Sequence, residues 1–298
     1  MLVLNSCTNR QSNSIFILWP LHMTLITQHT VFIVSDHTGV TAEALCHSLL
    51  SQFKDLNYRQ VCIPFIDDEK KAQLTVERIN ATTVQENKQP IIFGTLTNPN
   101  IRNILKTSHG LYLDVFDHLL TPLEAKFDQA SSGHVGRSHG LNDTNSYETR
   151  IDAVNFAMHC DDGLHTRDYN HSEIILIGIS RSGKTPTGLY LGLQFGINVA
   201  NYPLVDDDLL SKRLPKSLSS YRDKLCGLTI DPLRLHRIRS KRRPDSTYAA
   251  LATCEHEVSQ SEAMFRANDI PYVNTTAMSI EEISAHIIDT LHLERRLY

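Results

Sequence analysis

The sequence has no paired cysteines, no membrane-length apolar run and no excess of positive charge. Its six cysteines, Cys7, Cys46, Cys62, Cys160, Cys226 and Cys254, are scattered, and no two stand in a C-x-x-C spacing. That excludes a zinc knuckle and a thioredoxin-type dithiol. Scattered thiols in a 298-residue chain without a secretory signal read as the reduced cysteines of a cytoplasmic protein. A helix needs about 20 apolar residues to span a bilayer, and the best run, 14–26, is broken by Pro20 and His22. It also lacks the basic start and small-residue cleavage site of a signal peptide. Residues 1–29 are expected to form a poorly ordered extension, with Met23 as an alternative start. Lys and Arg number 29 against 33 Asp and Glu, a net charge of −4, which argues against a general nucleic-acid binder. Hydrophobic residues at 41% are enough for a packed core and exclude wholesale disorder.

What is there alternates between two periods. Residues 30–35 (TVFIVS) read as a buried strand, and the turn Asp36-His37-Thr38-Gly39 leads into a helix over 41–53. Its apolar face is expected at Ala42, Leu45, Leu49 and Phe53. Strands are expected at 61–66, 90–94 and 111–116, with a charged helix over 67–80. Residues 128–148 are polar, rich in Ser, Gly, His and Asn, and aperiodic. They suit a solvated loop or a functional one. A helix resumes over 147–159, and Asp161-Asp162-Gly163 ends it.

The second half repeats the alternation. Strands are expected at 173–177, 197–202, 225–230 and 272–275, and helices at 187–195, 231–243, 259–267 and 279–291. Asp231 is placed as an N-cap with Pro232 at the first helical position. Ser279 and Glu282 have capping-box spacing. The fold class is therefore α/β. Two α/β domains with mostly parallel sheets are expected, at 30–165 and 166–298, the second carrying a phosphate-loop β-α-β unit.

The strongest chemical signal is Gly178-Ile179-Ser180-Arg181-Ser182-Gly183-Lys184-Thr185, which satisfies G-x-x-x-x-G-K-[ST] in full. At ordinary residue frequencies a chance match in a chain this long is on the order of 1%. The motif follows an apolar strand and opens a helix, as a phosphate cradle requires. Lys184 is the expected counter-charge for terminal phosphates, and the Thr185 hydroxyl the expected ligand of Mg²⁺. Arg181 is a second cation inside the loop, suited to phosphate or to a transferring phosphoryl group. Phosphoryl transfer also needs carboxylates. Candidates are Asp36, Asp114, the pair Asp161/Asp162, and Asp206 to Asp208; a Walker-B reading fits Asp114 or Asp206 weakly. The cluster Arg237, Arg239, Lys241, Arg242, Arg243 is either a solvated face or an anion or acidic-partner site.

Several long segments are similar to the phosphoenolpyruvate synthase regulatory proteins, relatives of the plant pyruvate, phosphate dikinase regulatory protein. They are VSDHTGVTAEAL (34–45), RSHG (137–140), RIDAVNFAMHCDDG (150–163), IGISRSGKTPTGLYL (177–191), ANYPLV (200–205), GLTIDPLRL (227–235) and PYVNTT (271–276). The resemblance covers essentially 30–298. It implies a bifunctional, cytosolic and dimeric enzyme. Such an enzyme phosphorylates a threonine of the synthase with ADP as donor, and removes that phosphate with inorganic phosphate, releasing pyrophosphate. It also implies that residues 178–185 are the nucleotide site. One departure stands out: the family usually has His-Asp-Asp-Gly where this chain has Cys160-Asp161-Asp162-Gly163. A thiol titrates near 8.5 and an imidazole near 6.5, so a proton-carrying role would fall to His159, against which the helical step of about 100° counts, or to Asp161, Asp162 or water. The expected catalytic set is Lys184, Arg181, Asp161, Asp162 and His159. The rival readings are a phosphate-loop kinase of a small metabolite and a nucleotide-sensing module without transfer activity.

Overall fold

The computed structural model describes residues 29–132, 144–211 and 213–294. The chain divides into two compact units, 1–139 and 140–298. The expected N-terminal extension and the RSHG segment lie outside the described residues.

The first unit runs β1 (His29–Ser35), α1 (Val40–Leu50), β2 (Tyr58–Ile63), α2 (Glu69–Glu86), β3 (Ile91–Thr95), α3 (Pro99–Leu105), β4 (Leu111–Asp114) and α4 (Val115–Phe127). Its four strands are all parallel in the order β2-β1-β3-β4. β1 is buried along almost its whole length, as a central parallel strand covered on both faces must be. Phe32 and Val34 pack with Ile79, Ile92, Ile101 and Leu105 on one face. Val31 and Ile33 pack with Ala42, Cys46 and Leu50 on the other.

Two local expectations are corrected here. The buried stripe of α1 is Ala42, Cys46 and Leu50, while Leu49 and Phe53 are exposed. A thiol served as the middle core residue, so the i, i+4 spacing runs one position off the aliphatic one. The strand expected at 111–116 stops at Asp114, whose carboxylate accepts from the Asp117 N–H (3.0 Å) and caps α4.

The second unit runs α5 (Thr144–His159), two 3-10 turns (Asp161–Gly163 and Thr166–His171), β5 (Ile174–Gly178), α6 (Lys184–Phe195), β6 (Val199–Pro203) and α7 (Asp206–Ser211). After a 3-10 turn at Lys216–Lys224 come β7 (Leu225–Thr229), α8 (Pro232–Arg242), α9 (Leu251–Ala267), β8 (Tyr272–Asn274) and α10 (Ile280–Thr290). The strand order β6-β5-β7-β8 repeats that of the first unit, again all parallel. The expected caps are present: Asp231 accepts from the Arg234 N–H at 2.9 Å, and Ser279 and Glu282 close a capping box.

The boundary expected between 165 and 166 falls inside this unit. α5 belongs with the second sheet because it packs on α6 at close range. A Cβ added to Gly192 would lie 3.2 Å from the Ala153 backbone. The Asn201 N–H also donates to the Cys160 carbonyl (3.0 Å), tying the end of α5 to β6.

Candidate functional site

In an open parallel sheet, ligands gather outside the carboxyl ends of strands where the chain order reverses. In the second unit that place lies between β5 and β7, and the loop 178–185 leaves the carboxyl end of β5 there. Gly178 is required by close approach: a Cβ would stand 2.5 Å from the Leu228 carbonyl oxygen of β7. Gly183, at φ 100°, takes the left-handed cap position that starts α6.

Three loop carbonyls are engaged by side chains. Lys184 Nζ donates to Ile179 O (3.0 Å), Arg239 Nη2 to Ser180 O (3.1 Å), and Thr275 Oγ1 to Ser182 O (3.0 Å). The Ser180 hydroxyl lies 2.9 Å from the Tyr248 hydroxyl. Carbonyls held in this way leave the orphan N–H groups of the first turn of α6 as the loop's remaining polarity, which suits an anion. Lys184 is 6% exposed, and burial pushes its ammonium down to about 8; Asp162 and Asp161 nearby pull the other way. A bound phosphate, pairing with the ammonium, would raise that value again. Arg181, exposed at φ 74°, makes no ion pair among the described residues.

Opposite the loop stands the turn after α5. The Thr185 hydroxyl donates to Asp161 Oδ1 (3.0 Å) and Oδ2 (3.2 Å). The Asn201 amide donates to both Asp161 Oδ1 and Thr185 Oγ1. Asp162, at φ 50°, points the chain back toward the loop and lines a cavity of about 360 Å³ with Ser180, Arg181, Lys184, Thr185, Ile238 and Arg242. That volume lies in the range of small-molecule sites.

The structure therefore sorts the candidates. Lys184, Arg181, Thr185, Asp161 and Asp162 come together. Asp36 accepts from the N–H and hydroxyl of Thr97 in the first unit, at 2.6 and 2.7 Å. Asp114 is a helix cap in that same unit. Asp208 accepts from the Val205 N–H at the start of α7. The carboxylate beside the loop threonine comes from the α5 turn rather than from the end of a following strand, the position a Walker-B pattern occupies. His159 places Nε2 2.9 Å from Asp168 Oδ2, and its ring stacks on His165. It is not among the residues lining the cavity. Cys160 is fully buried among Tyr169, Ile175 and Ala200, and burial pushes its thiol up to about 11.

The basic cluster on α8 divides. Arg237, Lys241 and Arg243 are solvated, and Arg242 lines the cavity. Arg239 is fully buried: it pairs with Glu257 at 2.6 Å, and its guanidinium lies 4.1 Å from the centre of the Tyr248 ring. In the sequence Arg239 is only one member of a basic cluster, and Asn201 does not stand out at all. A positive residue on the core side of an otherwise basic helix was the available signal for the first; for the second there was none.

The fold defines an α/β protein of two four-stranded parallel sheets, in which the loop 178–185 joins β5 to α6 at the switch point of the second unit. The chain belongs to the kinase/pyrophosphorylase family, whose model matches residues 31–288. Similar proteins occur in Halorhodospira halophila (51% identity, covering 90% of this chain and 98% of the relative) and Marinobacter nauticus (48%, 90% and 99%). Another is found in Alkalilimnicola ehrlichii (49%, 91% and 98%). Each of these relatives carries the name "putative phosphoenolpyruvate synthase regulatory protein".

Proposed function

We propose that this chain is a bifunctional phosphotransferase acting on phosphoenolpyruvate synthase. It transfers the β-phosphoryl group of ADP to a target threonine, which inactivates the synthase, and removes that group with inorganic phosphate, which restores it. The family's two-part description and the relatives' names support the reading. The observation that carries it is the meeting of the Asp161–Asp162 turn with Lys184 and Thr185 across one cavity.

One anion site serves both directions. In the forward direction the loop and Lys184 hold the β-phosphate, and Arg181 and Arg242 face it across the cavity. Asp162 takes the proton from the threonine hydroxyl as its oxygen bonds to the β-phosphorus. The bond from that phosphorus to the bridging oxygen breaks, and AMP leaves with the electron pair. In reverse, an oxygen of inorganic phosphate attacks the phosphothreonine phosphorus. The bond to the threonine oxygen breaks, Asp162 passes to that oxygen the proton it takes from the attacking phosphate, and pyrophosphate leaves. The protein's part is chiefly positioning and fixed charge. The Thr185 hydroxyl and the Asp161 carboxylate are hard oxygen donors within 3.2 Å of each other, a set that fits Mg²⁺. When bound, that ion would supply neutralising charge beside the phosphates.

The test is incubation with purified synthase and ADP labelled at the β-phosphate. Label on a synthase threonine, released as pyrophosphate by added phosphate, is the expected result. Turnover of ADP without any protein acceptor would favour a metabolite kinase instead. ADP binding with no transfer would leave a nucleotide sensor.

A further inference from the structure

Behind the α5 turn, on residues the phosphotransfer reading does not use, three side chains converge. His159 ends α5, while His165 precedes and Asp168 lies within the following 3-10 turn. One ligand atom from each lies within 4.8 Å of the other two. His159 Nε2 and Asp168 Oδ2 are 2.9 Å apart, and the two imidazoles stack at 3.8 Å with 12° between their planes. We propose that His159, His165 and Asp168 form a binding site for a first-row divalent metal ion, with Zn²⁺ as the occupant.

The donor set decides the class of ion. Two imidazoles and one carboxylate suit Zn²⁺ and its transition-metal neighbours; Mg²⁺ and Ca²⁺ prefer oxygen throughout. Zn–N and Zn–O bonds of about 2.0–2.2 Å in a tetrahedron put ligand atoms about 3.3 Å apart. The two stacked rings direct their lone pairs side by side, so binding requires one imidazole to swing out of the stack until both nitrogens face the ion.

The frame beneath the ligands is already built. The Asp168 N–H donates to the His165 carbonyl at 2.9 Å, which fixes two of the three ligands to each other. Next to Asp168, the buried Tyr169 donates its hydroxyl to the Asn201 carbonyl (3.0 Å), and Ser172 Oγ donates to the Tyr169 carbonyl (2.7 Å). The ligand side chains themselves remain reachable: those of His159 and Asp168 are 47% and 46% exposed. Three protein ligands and an open side leave room for water in the remaining position, so the affinity should be moderate rather than that of a closed structural site.

The place in the chain gives the site its consequence. Asp161 and Asp162 lie between the first and second ligands. A metal bridging His159 to His165 and Asp168 closes a ring around the turn that presents both carboxylates to the loop. Its occupancy would limit the motion of that turn. The proposal rests on these three side chains and stands whether or not the phosphotransfer reading does.

The test uses the full chain, stripped with chelator, in a Cys62→Ser background, because Cys62 is the exposed free thiol among the described residues. Zn²⁺ is titrated by calorimetry and Co²⁺ by its visible absorption, with Mg²⁺ in millimolar excess throughout. One equivalent should bind with micromolar affinity. His165→Asn, which keeps a residue tolerant of φ 52°, and Asp168→Asn should each weaken that binding about a hundredfold. Thermal unfolding of the metal-free variants should match the parent, because these side chains are solvent-accessible, and Zn²⁺ should raise only the parent's midpoint. No saturable binding by millimolar metal, or equal stoichiometry and affinity in both variants, would overturn the proposal.

Discussion

Arg239 reaches up from α8 to hold the carbonyl of Ser180 at 3.1 Å, in the middle of the loop 178–185. The same guanidinium donates to the Tyr248 carbonyl and to both oxygens of Glu257, and it is fully buried. A buried pair of this kind is poor evidence of net stability, but breaking one side of it strands a charge. Arg239→Met should therefore lower unfolding stability by about 3–5 kcal/mol, measured by urea denaturation. Adding Glu257→Leu should recover most of that loss, because the stranded carboxylate is gone. ADP affinity should stay impaired in the double variant, since Ser180 has lost the donor that orients it. Equal recovery of stability and affinity would show that Arg239 acts on the fold alone.

Lys184 is more deeply buried than a loop residue need be. A lysine at 6% exposure whose ammonium is pushed down by burial destabilises the empty protein in its charged form. Lys184→Ala should consequently leave the melting temperature of the free protein unchanged or raise it. The stabilisation by added ADP should disappear, and threonine phosphorylation should fall by a factor on the order of a hundred or more. Normal phosphorylation in this variant would remove the loop from the mechanism.

The same lysine predicts a pH dependence. In the empty protein it loses its proton near pH 8, and a bound phosphate raises that value by pairing with the ammonium. Binding is then tightest below about pH 8 and weakens as pH rises through it, with a proton taken up from solvent on binding. Calorimetry of ADP binding in two buffers of different ionisation enthalpy, at pH 7 and 8.5, should show proton uptake only at the higher pH. Stability of the empty protein runs the other way. The unfolded lysine stays protonated to about 10.5, so between about 8 and 10.5 the unfolded chain holds more protons and this residue's contribution to stability rises with pH.

Both sheets, the loop and its helix, and the caps at Asp231 and Ser279 follow from local signals, and the sequence carries those directly. What it hid were relationships between distant segments. α5 reads as the end of the first domain because a polar stretch follows it; only its packing on α6 assigns it to the second. Asp161 meets Thr185 across 24 positions, and no spacing rule ties a turn after one helix to a loop before the next. Arg239 looked like one charge in a basic run. Its burial depends on Glu257 and Tyr248, which come from later segments.

The two carboxylates of the turn should separate by role. Asp161→Asn keeps a hydrogen-bonding partner for Asn201 and Thr185 but removes charge, so its main effect should be a raised Mg²⁺ requirement in both directions. Asp162→Asn should leave the backbone in place, since Asn tolerates φ 50°. Its loss falls on the proton transfer, which is worth about a hundredfold to ten-thousandfold. Target inactivation with ADP and reactivation with phosphate, each measured across a Mg²⁺ series, distinguish the two patterns. If both variants run both directions at parental rates, the turn has no part in the chemistry.

The cysteine at 160 looked like a replaced proton carrier, and its surroundings say otherwise. Its side chain is fully buried in the core cluster that includes Tyr169, Ile175 and Ala200, with burial holding the thiol neutral at any working pH. His159 beside it is turned to Asp168, so the helical step between them leads away from the loop rather than toward it. Cys160→Ala should keep both activities and their pH profiles, with a modest fall in stability from the small cavity. Cys160→His must force a larger, polar ring into a closed core, and should cost about 1–3 kcal/mol through overpacking alone. It should not speed reactivation. A faster phosphate-dependent reactivation in Cys160→His, with an optimum moved toward neutral pH, would mean that the core around this residue opens during turnover and that position 160 reaches the substrate after all.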